Sequence, residues 1–169
     1  NRTFLKTWRA WATEHHDYLK VKRDLFDCPG FQPIDGSAHI IQDRGFIFLF
    51  SNNHNGNPAR ASIPINRWIQ LEENSKAVYQ IKEVYPNKGK VLATLRYGDD
   101  FLYDMPQDSA VVLSLQPAPE GSELSQSVDL EKQVQLVPAF SSIAPPKPRT
   151  PNAWHWPLDT LIENGGASP

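Results

Sequence analysis

Phe46-Ile47-Phe48-Leu49-Phe50 constrains this chain more than any other stretch. Five consecutive apolar residues cannot alternate between a buried and a solvated side, so a strand built from them must be covered on both faces. The run is preceded by Asp43-Arg44-Gly45 and followed by Ser51-Asn52-Asn53-His54-Asn55-Gly56, both rich in turn-forming residues. A tight hairpin into the run and a turn out of it are therefore expected.

The surrounding sequence supplies partners for such a strand. Segments 38–42, 59–65, 76–85, 90–97, 101–105 and 110–116 are short, rich in β-branched and aromatic residues, and separated by turn chemistry such as Pro86-Asn87-Lys88-Gly89. Within them Val91, Ala93, Leu95 and Tyr97 alternate with Leu92, Thr94 and Arg96, and Val111, Leu113 and Leu115 alternate with Val112 and Ser114. That pattern suits antiparallel strands with one face packed more heavily than the other. A further strand is expected at an edge over 127–137, where Val128, Leu130, Val134 and Leu136 alternate with polar residues.

Ahead of the strands, Phe4, Trp8, Trp11, Tyr18 and Leu25 recur at helical spacing, flanked by Leu5, Ala12, Leu19 and Phe26. The spacing predicts one long helix ending where Pro29 and Gly30 break it. Its Trp8, Trp11 and Tyr18 stripe needs a large surface, of which a small sheet supplies part and a neighbouring domain the rest. Beyond Pro138 five further prolines between Pro145 and Pro157 disfavour hydrogen-bonded structure. The expected architecture is a mainly β, antiparallel two-sheet sandwich over 28–137. One long N-terminal helix over 1–27, of a kind that can continue from a preceding domain, leads into it, and an extended Pro-rich tail over 138–169 follows.

Composition narrows the function classes. A chain of 169 residues with 40% hydrophobic content builds one core, and a formal net charge of −2 gives no basic field for nucleic acid. No run of about 18 apolar residues spans a bilayer, so neither membrane nor nucleic acid is an expected partner. The chain opens at Asn1 rather than Met, which reads as a fragment or a processed product. Cys28 is the lone cysteine and reads as a small packing residue beside Pro29.

Candidate chemistry is sparse. Asp35, His39 and Asp43 recur every fourth residue with His54 nearby, but in an extended chain residues four apart stand about 13 Å apart, too far to share one ion. His15-His16 does not share a helical face, Asp99-Asp100 follows Gly98 in a turn, and Glu72-Glu73 reads as a solvated loop. Neither a phosphate loop nor a nucleophile elbow occurs. No catalytic residue, metal ligand or cofactor is expected. Trp68, Trp154 and Trp156 are the candidates for sugar stacking, since Trp154 and Trp156 point the same way in an extended segment; the competing reading has that pair anchoring the tail to its own domain.

The order helix, Asp35-Gly36, Ala38-His39, Arg44 to Phe50, Asn52, Tyr85-Pro86, Tyr97-Gly98 and a last strand ending at Pro117 resembles the C-terminal antiparallel β-sandwich that follows the (β/α)8 barrel of many glycoside hydrolases, including α-galactosidase-like enzymes. It spans roughly 4–117, and Ser51-Asn52-Asn53 stands where Asn-Pro is common in those domains. The resemblance implies that catalytic carboxylates lie on a barrel elsewhere in the polypeptide, in a periplasmic or extracellular enzyme. Trp8, Trp11 and Tyr18 would then make the interdomain contact. Two other functions stay open: an independent carbohydrate-binding module, and an interaction domain that engages a protein, or a second copy, through the aromatic helix.

Overall fold

The computed structural model describes residues 2–26, 33–51, 59–131 and 133–139. The expected tail, with Trp154 and Trp156, lies almost wholly outside them, as do Cys28 and His54. Helices α1 (Arg2–Glu14) and α2 (His16–Lys20) come first. The strands are β1 (Arg23–Asp24), β2 (Ile34–Ile41), β3 (Arg44–Ser51), β4 (Ala59–Pro64), β5 (Val78–Tyr85), β6 (Val91–Arg96), β7 (Asp100–Met105), β8 (Ala110–Pro117), β9 (Ser125–Gln126) and β10 (Gln135–Pro138).

They form two sheets, one ordered β1-β2-β3-β8-β5-β6-β9 and the other β10-β4-β7. The expected β-sandwich is therefore what the chain builds, with its core between the sheets. Ile47, Leu49, Leu113, Leu115 and Ile81 of the larger sheet meet Ala61, Ile63 and Phe101 of the smaller one, all at 1% exposure or less. Alternation along each strand delivers these residues to one face.

Three expectations shift. The helix stops at Lys20 rather than continuing to Phe26, because Arg23 and Asp24 pair with Ala38 and Ser37 and the amide of Leu25 bonds to the carbonyl of Gly36. That pairing carries Leu25 and Phe26 round the edge into the core, where both are buried. A β-ladder that also buries two large side chains outweighs fewer than two more helical turns on an exposed surface.

The hairpin between β2 and β3 turns at Gln42 and Asp43, one residue ahead of Asp43-Arg44-Gly45, since Ile41 pairs with Arg44. Gln42 takes the left-handed backbone with φ 59°. Gly45 is already in the ladder, where a Cβ would sit 2.1 Å from the carbonyl oxygen of His39, so its role is close approach.

The expected strand over 127–137 shortens to β10, which runs parallel to β4 in an otherwise antiparallel fold. Arg60 explains how the chain gets there. From β9 it crosses the outer face of the small sheet, where the Arg60 guanidinium grips both Asp104 oxygens at 2.5 and 3.1 Å and donates to the carbonyl of Asp129 at 2.6 Å. Arg60 is buried to 6% exposure, and its fork suits bidentate pairing.

Two substitutions test this packing. Gly36→Ala places a methyl 2.5 Å from the Phe48 carbonyl oxygen and 2.9 Å from Leu49 Cδ2, so urea denaturation is expected to show a loss of about 1–3 kcal/mol. Arg60→Ala leaves Asp104 unpaired and the crossing segment unpinned; a loss of about 3 kcal/mol is expected, and Arg60→Lys, lacking the fork, recovers less than half of it.

Candidate functional surface

The outer face of the large sheet carries the densest aromatic assembly in the structure. On β3, Ile47 and Leu49 point into the core while Phe46 and Phe48 point the other way, beneath the helices. Trp11 stands edge-on to Phe46 at 4.8 Å and to Phe48 at 6.2 Å between ring centres. Tyr18 meets Phe46 at 5.4 Å, and His15, at the break between α1 and α2, lies 4.7 Å from the same ring. Tilted and edge-to-face geometry of this kind adds about 0.5–1.5 kcal/mol per pair beyond the burial of area.

Tyr85 completes the row through an irregularity of β5. Residues two apart on a strand share a face, so Glu83 inward would put Tyr85 inward too. The register against β8 shifts between Glu83 and Tyr85, and Tyr85 pairs with Val112, itself opposite the outward Phe48. A bulge has re-aimed the ring. Trp8 meets it at 5.6 Å and Phe4 at 6.2 Å. Glu83 remains inside, nearly buried, and its Oε1 accepts from the amide and side chain of Asn87, fixing the turn that follows.

Trp8, Trp11 and Tyr18 thus lie against the chain's own sheet, and each keeps part of its surface in solvent. No residue of α1 is fully buried; Phe4 is 50% and Leu5 66% exposed. The helix is seated by one side only.

Beneath α2, the imidazole of His39 is buried on the same outer face, with Nε2 2.9 Å from Ser37 Oγ and the ring 5.0 Å from Phe48. Burial lowers its pKa below the ordinary histidine value, and the backbone carbonyls of Val21 and Tyr18 act against that shift. Asp35 accepts from the amide of Gly36, and Asp43 pairs with Arg44, which holds its carboxyl below the usual range. Asp35, His39 and Asp43 are thus engaged separately, and among the described residues no three His, Cys, Asp or Glu side chains are placed to hold a metal ion.

Trp68 occupies the opposite side of the sandwich edge, on a single 3₁₀ turn capped by the side chain of Asn66. It is half-buried against the core, and the Arg23 guanidinium lies 4.1 Å from its ring centre. The cation–π contact covers one face of the indole and closes the β1–β2 edge. Sequence reasoning had no signal for Arg23, because the two residues are 45 apart and meet only through sheet pairing. At the end of the sandwich a cleft of about 430 Å³ is lined by Asp43, Asn74, Lys76 and Tyr79 and by the segment after β8. Its aromatic ring, Tyr79, is 1% exposed and offers no face for stacking. Burial raises the Tyr79 phenol above its ordinary value, as it raises that of Tyr103, to about 12, at the core side of β7.

No family model and no curated protein matches this chain.

His39 gives the surface a pH signature. Its folded pKa lies below the unfolded value, so the stability held by the neutral ring is complete above about pH 6.5 and is lost as the pH falls through the lowered folded value. Urea midpoints at pH 7.5 and pH 5 should differ more for the wild type than for His39→Gln. The carboxylates of Asp17 and Asp43, also lowered, act only below about pH 4.

Proposed function

We propose that this chain is a non-catalytic accessory β-sandwich of a carbohydrate-active enzyme, bracing a catalytic barrel of the same polypeptide. One observation carries the reading: a helix seated on the sandwich through one aromatic side, with Phe4 and Leu5 still exposed beside it, in a structure whose described residues gather no converging acids. Such a helix transmits the position of one body to another, because it is fixed to the sheet and has a free flank to present. The resemblance of 4–117 to sandwiches that follow glycosidase barrels supports the same reading.

A sugar-binding module is supported less well. Stacking on a pyranose requires an open indole face, and Trp68 has one face beneath Arg23 and its body against the core.

Two measurements test the proposal. The chain alone, titrated against a panel of glycans, is expected to show no saturable affinity, and the polypeptide encoded ahead of Asn1 is expected to carry the hydrolase activity. Saturable binding abolished by Trp68→Ala would move the assignment to a sugar-binding module, and an upstream sequence without a catalytic domain would end the accessory reading.

A further inference from the structure

We propose that the exposed flank of α1, formed by Arg2, Lys6 and Arg9 with Leu5 beside them, is the contact made with the catalytic domain, and that the surface it meets there is acidic. The inference rests on the accessory reading above and specifies which side of the helix faces the partner, and with what chemistry.

Residues 2, 6 and 9 follow i, i+4, i+7 spacing and form one stripe, on the side of the helix away from Phe4, Trp8 and Trp11. The aromatic stripe is seated on Phe46, Phe48 and Tyr85, so the cationic stripe faces outward. All three basic residues are exposed, and among the described residues none has an ion-pair partner. Like charges at this spacing repel one another and weaken the helix. Among the described residues no carboxylate pairs with these cations to offset that repulsion, whereas Lys20 pairs with Asp17, Lys22 with Asp24 and Arg44 with Asp43. Leu5, 66% exposed, lies on the helix between the seated stripe and the cations and gives the flank an apolar margin. A ridge of three cations bordered by a leucine fits a protein surface of opposite charge, with electrostatics setting orientation and the apolar margin excluding water.

Other anionic partners fit less well. A helix that enters a lipid surface needs a free apolar face, and here that face is occupied by the sheet. Nucleic acid binding needs a wider basic field and rings interleaved with the cations, but the chain carries net −2 and its helical aromatics point inward.

The test uses the full polypeptide. Hydrogen exchange of the α1 amides and the coupling of domain melting transitions are compared for the wild type, the Arg2→Glu/Lys6→Glu/Arg9→Glu variant and the Arg2→Gln/Lys6→Gln/Arg9→Gln variant. Near-UV circular dichroism checks that the sandwich stays folded in each. Charge reversal is expected to separate the transitions and to raise α1 exchange by about tenfold, with the glutamine variant intermediate and the wild type alone weakened by added salt. If both variants keep wild-type coupling, the contact lies elsewhere and the accessory reading survives without this inference. If the wild-type domains melt independently, the accessory reading fails as well. Binding of the wild type to phosphatidylserine vesicles or duplex DNA, lost on charge reversal while domain coupling is unchanged, would assign the ridge to lipid or nucleic acid instead.

Discussion

Two-sided covering of β3 from Phe46 to Leu49, with Phe50 at the end of the run left 44% exposed, is the constraint on which the rest of this structure depends. Ile47 and Leu49 require a second sheet on one side, and Phe46 and Phe48 require a cover on the other. Each large apolar side chain left in water would forgo about 2–3 kcal/mol. The small sheet meets the first demand. The second falls to the N-terminal helices, whose rings stand over the phenylalanines, and this places α1 across the outside of the sandwich.

Once the helix is set there, other features follow as accommodations. The bulge in β5 brings Tyr85 under Trp8, which extends the aromatic row without a further strand. The break at His15 lets the chain bend from α1 to α2 while keeping Phe46 covered on both sides of the bend. Burial of His39 and Ser37 beneath α2 is the polar counterpart: their mutual hydrogen bond reduces the penalty of sealing polar groups under a helix. Arg60 performs a similar task on the other outer face, where a single buried guanidinium joins two strands of pairing to a crossing segment.

Function follows from what the covered faces leave free. The cleft presents no open ring, and Asp35 and Asp43 are each engaged separately. The outward half of α1 is left free, cationic and bordered by Leu5. On the accessory reading proposed above, this flank of a helix fixed to the sandwich is what holds another body in place.

The sequence by itself determined the strands and the sandwich, because period-two alternation and an unbroken apolar run are local properties that survive any tertiary arrangement. β4, β6, β7 and β8 fall within a residue or two of where alternation places them. Helical spacing likewise marked Phe4, Trp8, Trp11 and Tyr18 as one stripe. Only the tertiary structure decided what that stripe touches, where the helix yields to β1, and that Arg23 covers Trp68 or Arg60 reaches Asp129. Those outcomes join residues from 13 to 81 positions apart, and such contacts are set by competition between whole surfaces for burial. Local pattern has no record of that competition.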